Sequence, residues 1–492
     1  VLAIEPFVGV SSSDKPDGIP QGGEILRAML VLLFVVTSFV LWACESNDDE
    51  SAFDAGADTR QSGEDVLAGD SSEGGDAWEW QPVEPHVEQR GNFTIVWLSG
   101  TAYEMGVQQG ELLHDDIEAA MDFVENDQLL SSIPVLAETM GIKEIAVANS
   151  YPDILEECQG LVDAAGDRGF NMTFCLALNF GDVMLEMIYT GVPPAVEGPG
   201  CSGTIVRGEA TPDGVLRHTR NLDWGSMNID VIHQHPVLFV RQPDDGIPHV
   251  YVGFPLNLSP YTGMNLAGIS IGSHEADPAG IEELSRTGRS HVQMVGQLLK
   301  HAHSLGEARD FVESQKHMSV ETLVVADGEG EDGGVFEMSA LAMAERSPEE
   351  DVVFATNHFV HPDMLVHHGE PGEGSLGRFE RFQQLVLPDG RDSLWGQFDV
   401  ETLARVMRDT LHPGIGEILS DAEMEEAGWD IDGALGVNGP MHFVIFQPVD
   451  RLFWVAAAEV PIHKHSYYCF SLEELLGYPD PTPCTPELIP AG

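Results

Sequence analysis

Cys201 directly follows Gly200 and precedes Ser202 and Gly203, and one strand's length later comes the run Arg220-Asn221-Leu222-Asp223-Trp224. A cysteine attacks as thiolate, so its surroundings must supply a base or a positive charge. No histidine in the chain is marked by its spacing as that base. A different base arises if the chain is cut before Cys201. The new α-amino group would titrate near pKa ~7.7–8.0, close to working pH. In that arrangement Arg220 keeps the pocket positive and Asp223 orients the amine and the thiol. Gly200 has no β-carbon, so the backbone there can take strained geometry that favours attack of the thiol on the preceding carbonyl. The chemistry expected is an N-to-S acyl shift followed by hydrolysis, with Gly200 and Cys201 flanking the cut.

Around these residues the chain has 492 positions and a formal net charge of -58. Such a charge excludes nucleic acid as a partner, because phosphate binding needs clustered Lys and Arg. It also repels an anionic membrane and reads chiefly as a solubility device. Residues 28–43 are uncharged and apolar but short for a membrane span. With Arg27 before them and Leu41-Trp42-Ala43-Cys44 at their end, residues 1–43 read as a signal peptide region, with the translation start expected after the long polar stretch 1–23. The ending resembles a lipobox, which would make Cys44 the lipidated N-terminus of a cell-envelope lipoprotein. Plain secretion and an uncleaved anchor are the alternatives.

Residues 44–90 are rich in Asp, Glu, Gly and Ser and read as a disordered acidic linker. Cys158, Cys175, Cys469 and Cys484 remain. Export permits disulfides, and the local pairs fit, but four cysteines allow three connectivities and buried free thiols fit equally. His358, His361, His367 and His368 follow no closed zinc spacing, so neither metal nor cofactor is called for.

The elements that must position Cys201 begin near Gly91. Phe93, Ile95 and Trp97 alternate as in a strand, Tyr103 to Asn126 reads as one helix, and Ile142 to Ala165 is helical with an interruption near Pro152. After Cys201 come short apolar runs bounded by Gly, Asp and Pro: 204–206, 215–218, 237–241, 249–252 and 266–271. Helices are expected at 293–303, 305–315, 376–387 and 400–411. A hairpin is expected across the acidic turn 327–333, and late strands at 442–447 and 452–457. Blocks of helices and blocks of strands fit an α+β fold better than alternating βαβ units.

Several motifs occur in order. They are Gly-Cys-Ser-Gly at 200–203, Arg220-Asn221-Leu222-Asp223-Trp224, Thr262-Gly263-Met264-Asn265, Thr356-Asn357-His358-Phe359 and Ser375-Leu376-Gly377-Arg378-Phe379. Together with Gly100 to Gly110 they resemble the N-terminal nucleophile (Ntn) hydrolases of the acyl-CoA:6-aminopenicillanic acid acyltransferase type. Those are cousins of the choloylglycine hydrolases and acid ceramidase. The resemblance implies a four-layer αββα sandwich, with residues 91–200 as propeptide or α-chain and 201–492 as β-chain. It implies that Cys201 is the nucleophile, that Arg220 and Asp223 charge and orient it, that Asn357 lines the site beside the amine, and that Arg378 supports the cluster.

The family's oxyanion donor follows the Gly-Met-Asn strand and is often asparagine. Ile271-Gly272-Ser273-His274-Glu275 has none, so Ser273, His274 or a backbone N–H is expected in its place. Asn265 reads as a turn residue. The implied activity is hydrolysis or acyl transfer at a small-molecule linear amide through a Cys201 thioester. The alternatives are a surface-tethered binding protein that retains the fold and a thioesterase- or phospholipase-like esterase.

Overall fold

The computed structural model describes residues 81–126, 138, 141–180, 183, 200–223, 236–414, 416–418, 420–426, 433–436, 440–457 and 461–491, all within one contact unit. The signal region 1–43, Cys44, the linker as far as residue 80, and Trp224 lie outside the described residues. Among those described, no helix is long and apolar enough to cross a membrane.

The chain opens with β1 (His86–Arg90) and β2 (Phe93–Gly100), an antiparallel hairpin. The expected linker therefore ends earlier than position 90. β1 escaped the periodicity because it is an edge strand with polar, partly exposed residues, and its signal is the turn at Gly91, where φ is 67°. Helices α1 (Ala102–Leu112) and α2 (His114–Asn126) replace the single helix expected here. Thr101 and Glu104 form a capping box at the start of α1, and the helix ends at Leu113, whose N–H bonds to Gln109 O. α3 (Ile142–Asn149) and α4 (Pro152–Ala165) are separated just before the proline, as expected of a residue that starts helices but does not continue them. α5 (Met172–Asn179) follows, and a Cys158–Cys175 disulfide ties it to α4.

β3 (Cys201–Gly208) begins on the cysteine itself and pairs antiparallel with β4 (Gly214–Asp223). Then come β5 (Val237–Pro243), β6 (His249–Gly253), β7 (Thr262–Asn265) and β8 (Ile269–Glu275). Residues 266–271, expected as one strand, instead turn a corner. Gly268 sits at φ 88°, and the Asn265 side chain accepts from Ile269 N at 2.9 Å while donating to Leu299 O and Ala302 O. Asn265 is thus a turn and helix-end residue. α6 (His291–His301) and α7 (Leu305–Ser314) precede β9 (Glu321–Asp327), β10 (Asp332–Met338), β11 (Met343–Arg346) and β12 (Val352–Ala355). α8 (Glu373–Val386), α9 (Val400–Met407) and a ribbon of β13 (Leu411–His412) and β14 (Glu417–Ile418) lead to β15 (Pro440–Gln447), β16 (Leu452–Ala456), β17 (Tyr467–Ser471) and β18 (Leu488–Ile489). A Cys469–Cys484 disulfide closes this end.

Two sheets result. The first runs β1-β2-β5-β6-β7-β8-β9-β10-β11, the second β12-β3-β4-β15-β16-β17-β18. The sheets face each other through mixed clusters: Phe93, Val250 and Met264 meet Val444, Phe453 and Phe470, and Val324 and Val335 meet Ile205 and Val353. The outer face of the first sheet packs on α1–α5 near Val96 and Phe239, and on α6 and α7 near Ile271 and Leu323. The outer face of the second packs on α8 and α9 through Val206, Phe443 and Trp454. The layers are helix, sheet, sheet, helix, which is the αββα sandwich the resemblance implied.

Candidate active site

Cys201 begins β3, is buried at 2% exposure, and is the free cysteine among the described residues. Register explains why the motif residues meet there. In the β3–β4 pair Gly203 faces Arg220 and Cys201 faces Leu222. Arg220 lies two residues from Leu222, so its side chain projects on the same face as Cys201. On the other flank Ala355 of β12 faces Gly203. Continuing that antiparallel register past the end of β12 brings Asn357 level with Cys201.

Each polar atom of Cys201 has a partner. Its backbone N–H donates to Asn357 Oδ1 at 2.6 Å. Its carbonyl accepts from Arg378 Nη1. Its Sγ lies 3.1 Å from Arg220 Nη2. Arg378 also donates to Ser202 Oγ at 3.0 Å and, through Nη2, to Asn357 Oδ1 at 2.9 Å. The preceding carbonyl, Gly200 O, accepts from the Asp223 backbone N–H at 2.9 Å. Cys201, Arg220, Asp223, Asn357 and Arg378, widely spaced in sequence, are therefore gathered at one point.

Burial pushes the Cys201 thiol above its ordinary range. Arg220 opposes that shift, the Asp223 carboxylate adds to it, and Arg378 opposes it again. The thiol therefore keeps its proton at neutral pH, with two guanidinium groups placed to stabilise the thiolate as it forms.

Ser273 and His274 sit differently from expectation. Ser273 enters through its carbonyl, which accepts from Arg220 Nη2 at 2.5 Å; a carbonyl cannot serve as an oxyanion donor. Strand alternation turns its hydroxyl toward the outer face of the first sheet, with Ile269 and Ile271. His274 does face the second sheet, but it lies over Gly203, with Cε1 and Nε2 each 3.1 Å from where a β-carbon on Gly203 would be. Burial and then Arg220 hold its pKa well below the ordinary histidine value, so the ring is neutral.

Residues that the motif reading left without roles also contribute. Asn357 Nδ2 donates to Glu275 O at 2.8 Å, and Asn357 N–H donates to Ser375 Oγ at 2.8 Å. Ser375 Oγ donates to Thr356 Oγ1 at 3.0 Å and lies 2.8 Å from His358 Nδ1. Ser375 and Arg378 are three apart on α8 and so share a helix face. That spacing was the available signal for Ser375. Burial holds His358 neutral, with a pKa lowered to about 4. Its ring packs edge-on against Phe379 rather than joining a metal cluster. Among the described residues no group of three or more His, Cys, Asp or Glu could hold a metal ion.

A small cavity is lined by Leu222, Val252, Phe254, Tyr261, Met441 and His442 among others. Leu222 is the cross-strand partner of Cys201. The wall is mostly apolar, and His442 Nε2 lies 3.0 Å from Thr262 Oγ1 across the sheets.

Residues 219–394 match the family model described as acyl-coenzyme A:6-aminopenicillanic acid acyl-transferase. That segment holds Arg220, Asp223, Asn357 and Arg378, and Cys201 stands just ahead of it. An uncharacterized protein of Archaeoglobus fulgidus is 29% identical over an alignment of 357 residues that covers 65% of this chain. The chain spans 58% of the length of that curated relative.

Among solved structures, an N-acylethanolamine-hydrolyzing acid amidase ortholog of Caenorhabditis elegans is similar at 14% identity and TM-score 0.34, covering 51% of this chain and 93% of that one. Penicillin V acylase from Agrobacterium tumefaciens is similar at 13% identity and TM-score 0.32, covering 57% and 90%. A conjugated bile acid hydrolase variant from Clostridium perfringens is similar at 10% identity and TM-score 0.31, covering 56% and 93%. Scores at this level carry no inference about activity.

Proposed function

We propose that this chain is a cysteine Ntn hydrolase of the acyltransferase type, made as a precursor and cut between Gly200 and Cys201. The observation that supports this best is the complete polar grip on one residue, with N, O and Sγ of Cys201 held by Asn357, Arg378 and Arg220. In self-cleavage the thiol sulfur adds to the Gly200 carbonyl carbon. The Asp223 N–H already bonded to that oxygen is placed to stabilise the resulting oxyanion. The C–N bond then breaks, the thiol proton goes to the leaving nitrogen, and a thioester joins Gly200 to Cys201. One water hydrolyses it, leaving a Gly200 carboxylate, a free thiol and a free amine. The amine remains beside Asn357 Oδ1 and serves as base for turnover.

In turnover the thiolate attacks a small linear amide, the amine leaves protonated, and water or a second amine resolves the acyl-enzyme. We place the acyl portion of such a substrate against the mostly apolar wall beside Leu222. The test is a panel of N-acyl amides of increasing acyl length, followed by intact mass. Amide hydrolysis with an acyl adduct on the Cys201 peptide is expected. No adduct and no hydrolysis across the panel, from a correctly cut protein, would instead identify a binding protein that keeps the fold. The sequence of 271–275, without an asparagine donor, is the feature that favours this second reading.

We further propose export and lipid anchoring through Cys44. The Cys158–Cys175 and Cys469–Cys484 disulfides support an oxidising compartment. Retention of a Cys44→Ser variant in the membrane fraction would contradict the anchor.

A further inference from the structure

We propose that Gly272 is a positioning residue for the Cys201 thiol, because it clears the space across which Arg220 reaches the sulfur. Arg220 is fully buried between the two sheets. Its backbone belongs to β4 of the second sheet, and its guanidinium ends against the first, on Ser273 O. Between those anchors the side chain crosses directly over Gly272 of β8. A β-carbon on Gly272 would stand 2.6 Å from Arg220 Cδ, 3.2 Å from Cγ and 3.1 Å from Nε. Real β-carbons essentially never come as close as 2.6 Å, and at the other two distances the arginine must give by a few tenths of an ångström. Cδ can swing aside only by drawing the guanidinium off Ser273 O, Asn221 O and Cys201 Sγ, because its other end is a Cα fixed in the sheet.

The opposite sheet repeats the arrangement. His274, two residues along β8, lies over Gly203 of β3, where a β-carbon would meet the ring at 3.1 Å. Gly203 is the cross-strand partner of Arg220. Each sheet therefore sends one large polar side chain over a glycine of the other, and the two slots are adjacent. Neither glycine has a left-handed backbone. The requirement is space rather than conformation, so an alanine at 272 leaves the strand intact and moves only what lies over it.

The effect on cleavage rests on the reading of Cys201 as a self-cleaving nucleophile, whereas the steric coupling of Gly272 to Arg220 does not. Three variants test both: Gly272→Ala, Arg220→Ala and the double variant, each purified as the full chain. Cleavage is followed by intact mass at several pH values, and Tm is measured on the same samples. Gly272→Ala is expected to slow cleavage at least tenfold and to raise the pH midpoint of its rate. With no arginine side chain to displace, the double variant should cleave within twofold of Arg220→Ala. Gly272→Ala should lower Tm by about 2 °C, and adding it to Arg220→Ala should lower Tm no further. Wild-type cleavage by Gly272→Ala, or losses that simply add in the double variant, would overturn the proposal. If the wild-type chain is never cut, the self-cleavage reading fails, and the Tm cycle alone decides whether Gly272 makes room for Arg220.

Discussion

Replacing Asn357 by leucine keeps nearly the same volume and removes three hydrogen bonds at once. Oδ1 accepts from Cys201 N at 2.6 Å and from Arg378 Nη2 at 2.9 Å, and Nδ2 donates to Glu275 O at 2.8 Å. The bond to Cys201 N bears directly on the barrier. As the Gly200–Cys201 bond breaks, the nitrogen changes from an amide to an amine that gains a proton. A neutral hydrogen bond contributes about 1 kcal/mol net and one to a charged group about 1.5–3 kcal/mol. The gain between precursor and transition state is then about 1–2 kcal/mol. The Arg378 bond adds a comparable amount, because without it the guanidinium that holds Cys201 O is looser. The sum, about 2–4 kcal/mol, corresponds to a slowing of roughly 30- to 1000-fold. Asn357→Asp keeps the acceptor and should cost less, about tenfold. The assay is the fraction cut against time for freshly translated chain, read on a denaturing gel and checked by mass. Cleavage of Asn357→Leu at the wild-type rate would refute the claim that Asn357 steadies the departing nitrogen.

The buried histidines predict a stability profile. Burial lowers His218 and His249 to about 3, and His317, His358 and His463 to about 4. Their folded pKa values lie below the unfolded ~6.5, so the unfolded chain binds more protons between those limits. Stability is therefore full above pH 6.5, falls as pH drops toward 4 and levels off for these groups below 3. For His317 alone the loss is on the order of 3 kcal/mol. A Tm that is flat from pH 7 to 4.5 would contradict this. The Cys469–Cys484 bridge closes a loop with sequence separation 15. A Cys469→Ser, Cys484→Ser double variant should lose about 3 kcal/mol in urea unfolding; an unchanged urea midpoint would show that the bridge adds nothing.

Much of the site was legible because its residues sit in short local patterns. The cysteine after a glycine, the arginine and aspartate on the next strand, and the asparagine and arginine of two later motifs are types with few bland uses when they occur in order. Antiparallel register then does the gathering, since Ala355 and Arg220 both face Gly203. What stayed hidden depends on contacts between sheets, which no local pattern encodes. Ser273 looked like a donor from its type and position, yet strand alternation leaves only its carbonyl at Arg220. The part Gly272 plays depends on Arg220 crossing it from the other sheet. The corner at 266–268 was misread because Leu266, Ile269 and Ile271 are all apolar, and only the positive φ of Gly268 separates β7 from β8. β1 was missed for the opposite reason, since an edge strand needs few apolar residues.

The central claim is that Cys201 becomes an N-terminus by its own chemistry, and intact mass joined to N-terminal sequencing of the purified protein tests it most directly. The account predicts two polypeptides, the second beginning Cys-Ser-Gly-Thr at position 201, and one uncut chain for Cys201→Ala. A single uncut wild-type chain, or a cut at Gly200 that persists in Cys201→Ala, would contradict it.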